Sequence, residues 1–197
     1  MDDETFWNLI EDCRRETPDP DERLAWLRGR LSQMPESEIV QFQICLDRVL
    51  SPTFTWDMWA AADMILGWCS DDSFFSFRLW LVGLGREEFE KAALEPDLLA
   101  GTAQVRALAG RSPRAWGDHE WPEWEELDYV AGAAFETVTG KPHEDFHGAL
   151  DAQDVEDPEP RHPVGDRWDV NRAEEAARRF PNLSALFPAV EDQHVQE

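Results

Sequence analysis

Residues 141–151 read KPHEDFHGALD, and within them His143, Glu144 and His147 match the His-Glu-x-x-His spacing of zinc hydrolases. On a helix, two histidines four residues apart face the same way and can share one metal ion. The glutamate between them then activates the bound water. A third protein ligand is needed, and the neighbouring sequence offers only His162 or a carboxylate such as Asp166. Pro142 directly before His143 and Gly148 directly after His147 leave little room for a stable helix. Asp145 adds a charge where such enzymes bury the helix. The favoured reading is a solvated acidic loop with no cofactor, and zinc is the metal that the spacing would suit. A metal-dependent hydrolase with Glu144 as its catalytic group is the alternative.

Cys69-Ser70-Asp71-Asp72 is a second place where chemistry could sit. A cysteine just ahead of a helix N-terminus can have a lowered pKa and act as a nucleophile. It would need a histidine base, and all five histidines lie at position 119 or later. The plainer reading is that Ser70 caps the helix, Asp71 and Asp72 complement its first turn, and Cys69 packs.

A third set comprises Trp56, Asp57, Trp59, Asp63, Arg78, Trp80 and Arg86. Helical spacing puts Trp56, Trp59 and Asp63 on one face, and Arg78 is expected to pair with Asp57 or Asp63 from the next helix. The favoured reading is an aromatic core with one internal ion pair. Trp and Arg also dominate binding hot spots, so a Trp/Arg-lined groove for a peptide or small ligand is the functional alternative. In HEWPEWEELDY, residues 119–129, Trp121 and Trp124 stand among four glutamates and would suit a basic partner.

These residues must be held by helices, whose starts and stops are spelled out along most of the chain. Phe6, Ile10 and Cys13 form a stripe over 3–16. Asp19 caps the next helix, with Pro20 at its first position and Glu22 three residues after the cap. Pro35 opens a third, lined by Ile39, Phe42, Leu46 and Val49 and closed by Pro52. A fourth begins at Thr53 or Thr55 and runs to Gly67, and Ser70 starts a fifth that Gly83 and Gly85 break. REEFEKAAL and EPDLLAGTAQVRALAG read as helical, GRSPRAWGDHEWP as a loop, and EWEELDYVAGAAFETVTG as a strong helix. After Pro142 the pattern changes. Residues 118–160 hold fourteen carboxylates against Lys141 alone, and prolines recur at 158, 160 and 163. Asn171 is expected to cap NRAEEAARRF, and Pro181 to start a last short helix that docks through Leu183 and Leu186. No convincing strand alternation appears.

WDMWAAADMILGWCSDDSFFSFRLWLVGLGREEFEKAALEPDLLA, residues 56–100, together with DETFWNLIEDCR and RFPNLSALF, resembles the bacterial family called domain of unknown function 4240. The resemblance rests on Gly67, Cys69 to Asp72, Phe77-Arg78, Trp80-Leu81, and Gly85-Arg86 followed by Phe89. Trp68 stands where the family pattern would place a second glycine. The resemblance covers residues 1–140 and the last short helix, and implies a fold and a set of positions rather than a chemistry.

Composition bounds the rest. Forty-two acidic residues oppose eighteen basic ones for a net charge of −24. Such a chain lacks the clustered Lys and Arg that nucleic acid or an anionic membrane requires. Cys13, Cys45 and Cys69 lack metal or disulfide spacing. There is no P-loop, G-x-G-x-x-G or calcium loop. The sequence therefore predicts a cytoplasmic, all-α domain of about seven to nine helices. Its parts are a core over 1–140, an irregular acidic segment over 141–170, C-terminal helices over 171–188 and a flexible tail over 189–197. The expected role is a non-enzymatic protein-binding module, accessory, regulatory or toxin-neutralising, that meets a basic partner.

Overall fold

A computed structural model describes residues 1–153 and 159–189. The expected flexible tail falls outside them from position 190 onward. Among the described residues there are eleven α-helices, five short 3-10 turns and no strand, so the fold is all-α. The helices are α1 (Asp3–Glu16), α2 (Pro20–Leu31), α3 (Glu36–Leu50), α4 (Trp56–Leu66), α5 (Asp71–Gly83), α6 (Arg86–Leu94), α7 (Ala103–Leu108), α8 (Val130–Thr139), α9 (His143–Asp151), α10 (Ala173–Arg179) and α11 (Pro181–Leu186). No described helix is long and apolar enough to cross a membrane.

Side chains legible in the sequence set the helix starts. Asp19 accepts from the Asp21 and Glu22 amides, Thr55 from Met58, and Ser70 from Ser73. Each oxygen satisfies a donor that the first turn leaves without an intrahelical partner. Gly67 and Gly140 end α4 and α8 in the left-handed region. Phe6, Phe42, Phe77 and Phe135 are fully buried and, with Leu27, Leu46 and Leu81, tie α1, α2, α3, α5 and α8 into one core.

Three elements differ from the sequence reading. Within EWEELDY only Glu125–Tyr129 winds, as a 3-10 turn, and the α-helix starts at Val130. Asn171 does not cap α10. It donates to Asp169 Oδ1 through both its backbone N–H and its side chain, closing a turn ahead of the helix. Residues His143–Asp151 are helical rather than loop, because Pro142 sits in front of the first turn, where no N–H is missed. Gly148 costs too little to break a helix that buries Phe146 against Phe135 of α8.

The chain end is tied down by an acid that the sequence did not single out. Asp97 is buried, and its carboxylate accepts from the backbone N–H groups of Asn182 and Leu183 and from the Asn182 amide. It thereby caps α11 from a turn 85 residues away, while Phe180 and Leu183 fill the core beneath.

Candidate functional site

The chain turns sharply between α4 and α5, and here most of the proposed binding residues gather. Trp56 and Trp59 lie one turn apart on α4, with ring centres 5.5 Å apart. Trp59 stacks on Phe74 of α5 at 4.4 Å, and its indole N–H donates to the Cys69 carbonyl at 3.3 Å. That bond fixes the corner, so Trp59 is held rather than mobile. Trp68, the residue that departs from the family pattern, projects from the same turn and is 72% exposed.

The opposite wall is a strap, residues 159–171, that returns across α4. Val164 pairs with Thr55 in an isolated parallel bridge, donating to the Phe54 carbonyl and accepting from the Trp56 N–H. The Trp168 indole donates to Asp57 at 2.9 Å, and Arg179 of α10 approaches the same carboxylate at 3.4 Å. Arg167 lies over the Trp56 ring, 5.0 Å from its centre. Corner and strap enclose a cleft of about 890 Å³ lined by Trp56, Trp59, Trp68 and Trp168, with Asp63, Asp71, Asp72 and Asp169 among them. Burial pushes the Asp63 carboxyl up, against the opposing pull of a Cys69 backbone hydrogen bond and the Arg167 charge.

Arg78 does not join this cleft, nor does it pair with Asp57 or Asp63. It is 2% exposed and donates to Thr53 Oγ1 and the Leu50 carbonyl, both at 3.0 Å. Its guanidinium meets Glu159 of the strap and lies over Phe54 and Phe74. The partner expected one helix away comes instead from 81 residues along the chain. Arg78 therefore fastens the strap and leaves no group free for a ligand.

Arg86 is likewise structural. Its side chain pairs with Glu90, and its backbone N–H donates to Glu11, which also holds Arg14. Gly85 adopts φ +95°, and a Cβ there would strike Arg14. The Gly-Arg turn is a close approach of α1 to α6.

Trp80, Trp121 and Trp124 are separated from the corner and share a second cleft of about 760 Å³ with Arg23 and His119. The Trp124 ring packs against Gly83, and its backbone N–H donates to the Ser76 carbonyl. Trp121 meets Trp116, 4.9 Å between ring centres. Trp124 is buried and Trp121 half-buried, so HEWPEWEELDY presents its glutamates to solvent rather than its indoles.

Helix α9 brings His143 and His147 to 4.7 Å between ring centres, both exposed, with Glu144 beside them. Glu136 lies 3.8 Å from His143 Nδ1. Among the described residues, no three His, Cys, Asp or Glu side chains are grouped to hold one ion. His162 is exposed on the strap, two residues before the Val164 bridge to Thr55. The His143 ring packs on Gly132, where a Cβ would come within 2.5 Å. His143 thus has a packing role that explains its presence.

Cys69 is buried with its thiol pushed up to about 12, by desolvation first and then by Asp63, Glu123 and Asp71. An acidic surrounding overrides any help from the α5 N-terminus, so the nucleophile reading fails on electrostatics.

Sequence reasoning missed Arg167 and Trp168. They stand in GDRWDV, among prolines and acids, with no periodicity to mark them. An Arg-Trp pair in an otherwise acidic, basic-poor stretch was the available signal.

The sequence model of DUF4240, a family of proteins of unknown function, matches residues 1–137. The chain belongs to that family. The matched span contains Trp56, Trp59, Trp68 and the three aspartates of the corner but not the strap. No curated protein and no solved structure matches.

Proposed function

We propose that this member of the DUF4240 family is a non-enzymatic binding module that holds a positively charged segment of another protein in the cleft between the α4–α5 corner and the strap. The observation that supports it is the composition of that cleft, where four indoles and four aspartates line one concave surface. Indoles attract cations through their ring quadrupole, and carboxylates add charge without competing for the same face. The net charge of −24 would draw a basic partner from a distance. An anionic nucleic acid or membrane would be repelled by the same field.

The test is a tryptophan-fluorescence titration with a short Arg/Lys-rich peptide, repeated with Trp68→Ala and with Asp71→Ala/Asp72→Ala. Saturable binding should weaken about tenfold between about 20 mM and 300 mM salt and should fall in both variants. Binding that ignores salt and both variants would rule the cleft out.

A second reading, a metal-dependent hydrolase, has one observation in its favour: α9 is a helix and aligns His143 and His147. Elemental mass spectrometry of tag-free protein tests it. Near-stoichiometric zinc that disappears in His143→Ala and in His147→Ala would establish the site.

A further inference from the structure

We infer that the cleft takes an arginine guanidinium on the Trp56 face, and that Arg167 of the chain's own strap occupies that place until a partner's arginine displaces it. This rests on the reading of the corner as a cation-binding surface and adds the ligand's chemical class and the device that regulates access.

The geometry points this way from both sides of the contact. Arg167 places its guanidinium carbon 5.0 Å from the centre of the Trp56 ring. It is an exposed cation in a cleft whose other charged lining groups are Asp63, Asp71, Asp72 and Asp169. Among the described residues no carboxylate forms a salt bridge with it, although its charge is felt at Asp63. The aromatic face, more than a fixed ion pair, holds it. A planar, weakly hydrated guanidinium stacks on indole better than a compact ammonium does.

The strap does not need Arg167 in order to stay in place. Val164 on one side is fixed by two backbone hydrogen bonds, at 2.9 and 3.0 Å. Trp168 on the other is fixed by its bond to Asp57 and its edge-on contact with Phe180. The Arg167 side chain can therefore swing off Trp56 while the backbone remains anchored. An incoming arginine would gain the same ring and the same field from the aspartates. Its net affinity is lowered by the fraction of time that the internal side chain holds the ring.

The experiment is calorimetric titration of the full chain with an N-acetylated, C-amidated Gly-Arg-Gly-Arg-Gly peptide and with its lysine and citrulline counterparts. Arg167→Ala and Arg167→Gln should each bind the arginine peptide about threefold tighter than the wild type. Trp56→Ala should weaken binding and abolish the difference that Arg167→Ala otherwise makes, because both cations compete for that ring. Circular dichroism confirms that each variant is folded. Wild-type binding that is unchanged or weakened by both Arg167 variants would overturn the displacement while leaving the cation-binding reading intact. Equal affinity for the lysine peptide would overturn the guanidinium preference. No saturable binding in the wild type or in either Arg167 variant would overturn the cation-binding reading and this inference with it.

Discussion

Helix α9 and the α4–α5 corner both carry residues whose types suggest chemistry, yet they are built differently. The two histidines of α9 come from one turn of one helix and face solvent, with Phe146 as their anchor. The corner draws on α4, the turn before α5, and a strap about 110 residues later, and it encloses a volume. A local motif can align two side chains by helical spacing alone. A third group, a wall and a change of dielectric need another part of the chain. Concavity, more than motif, separates the two regions.

Four substitutions test this contrast. The largest effect is expected at Arg78, where the strap is fastened to the core. Arg78→Ala should lower unfolding free energy by about 4 kcal/mol in urea titrations, since it empties a buried site and takes the guanidinium away from Glu159. It should also release the strap, seen as faster amide exchange over 159–171. An unchanged exchange pattern there would show that Val164 and Trp168 suffice as anchors.

Phe146→Ala attacks α9 alone. A loss of about 3 kcal/mol is expected from removing a fully packed ring, with peptide binding at the corner untouched. Were binding to fall as well, the two regions would be coupled and the contrast wrong.

Asp63→Asn tests the electrostatics of the cleft. Burial raises the Asp63 carboxyl in the folded chain, so ionisation there opposes folding. This opposition is complete above the raised folded pKa and vanishes below the ordinary aspartate value of about 4. The Asp63→Asn variant should therefore melt slightly higher than wild type at about pH 7, with the gap closing as pH falls through that window. Peptide binding by the wild type should weaken over the same window, and the variant should lose that part of the dependence. A gap that widens on acidification would contradict the assigned direction.

His147→Ala should have the smallest effect, within about 0.5 kcal/mol in thermal melts, as for an exposed side chain on a helix surface. A larger loss would mean that the His143–His147 contact contributes more than surface packing.

Much of the fold is legible in the sequence. Asp19, Thr55 and Ser70 announce helix starts through short-range hydrogen bonds, and these depend only on residues two or three positions on. The apolar stripes over α1 and α3 follow from the 3.6-residue period. Helix α9 is not legible in the sequence, because Pro142 and Gly148 have the residue types of helix breakers and nothing local marks the burial of Phe146 against Phe135. For the cleft, Trp56, Trp59, Asp63, Asp71 and Asp72 could be named, since they lie within seventeen residues of one another. Arg167 and Trp168 could not, because nothing local links them to Trp56 and Asp57. The grouping of Trp80 and Arg78 with Trp56 was wrong for the same reason: Arg78 faces the core, and Trp80 lines the other cleft.

The all-α class, the helix boundaries set by caps, the acidic field and the family all follow from the sequence. These depend on residue types, near neighbours and total charge. The tertiary structure alone sets Glu159 against Arg78, Asp97 at the start of α11, and a strap carrying Trp168 over the three indoles Trp56, Trp59 and Trp68. Partners 80 or more residues apart are chosen by how the whole core packs, and packing is settled only when every helix has found its face.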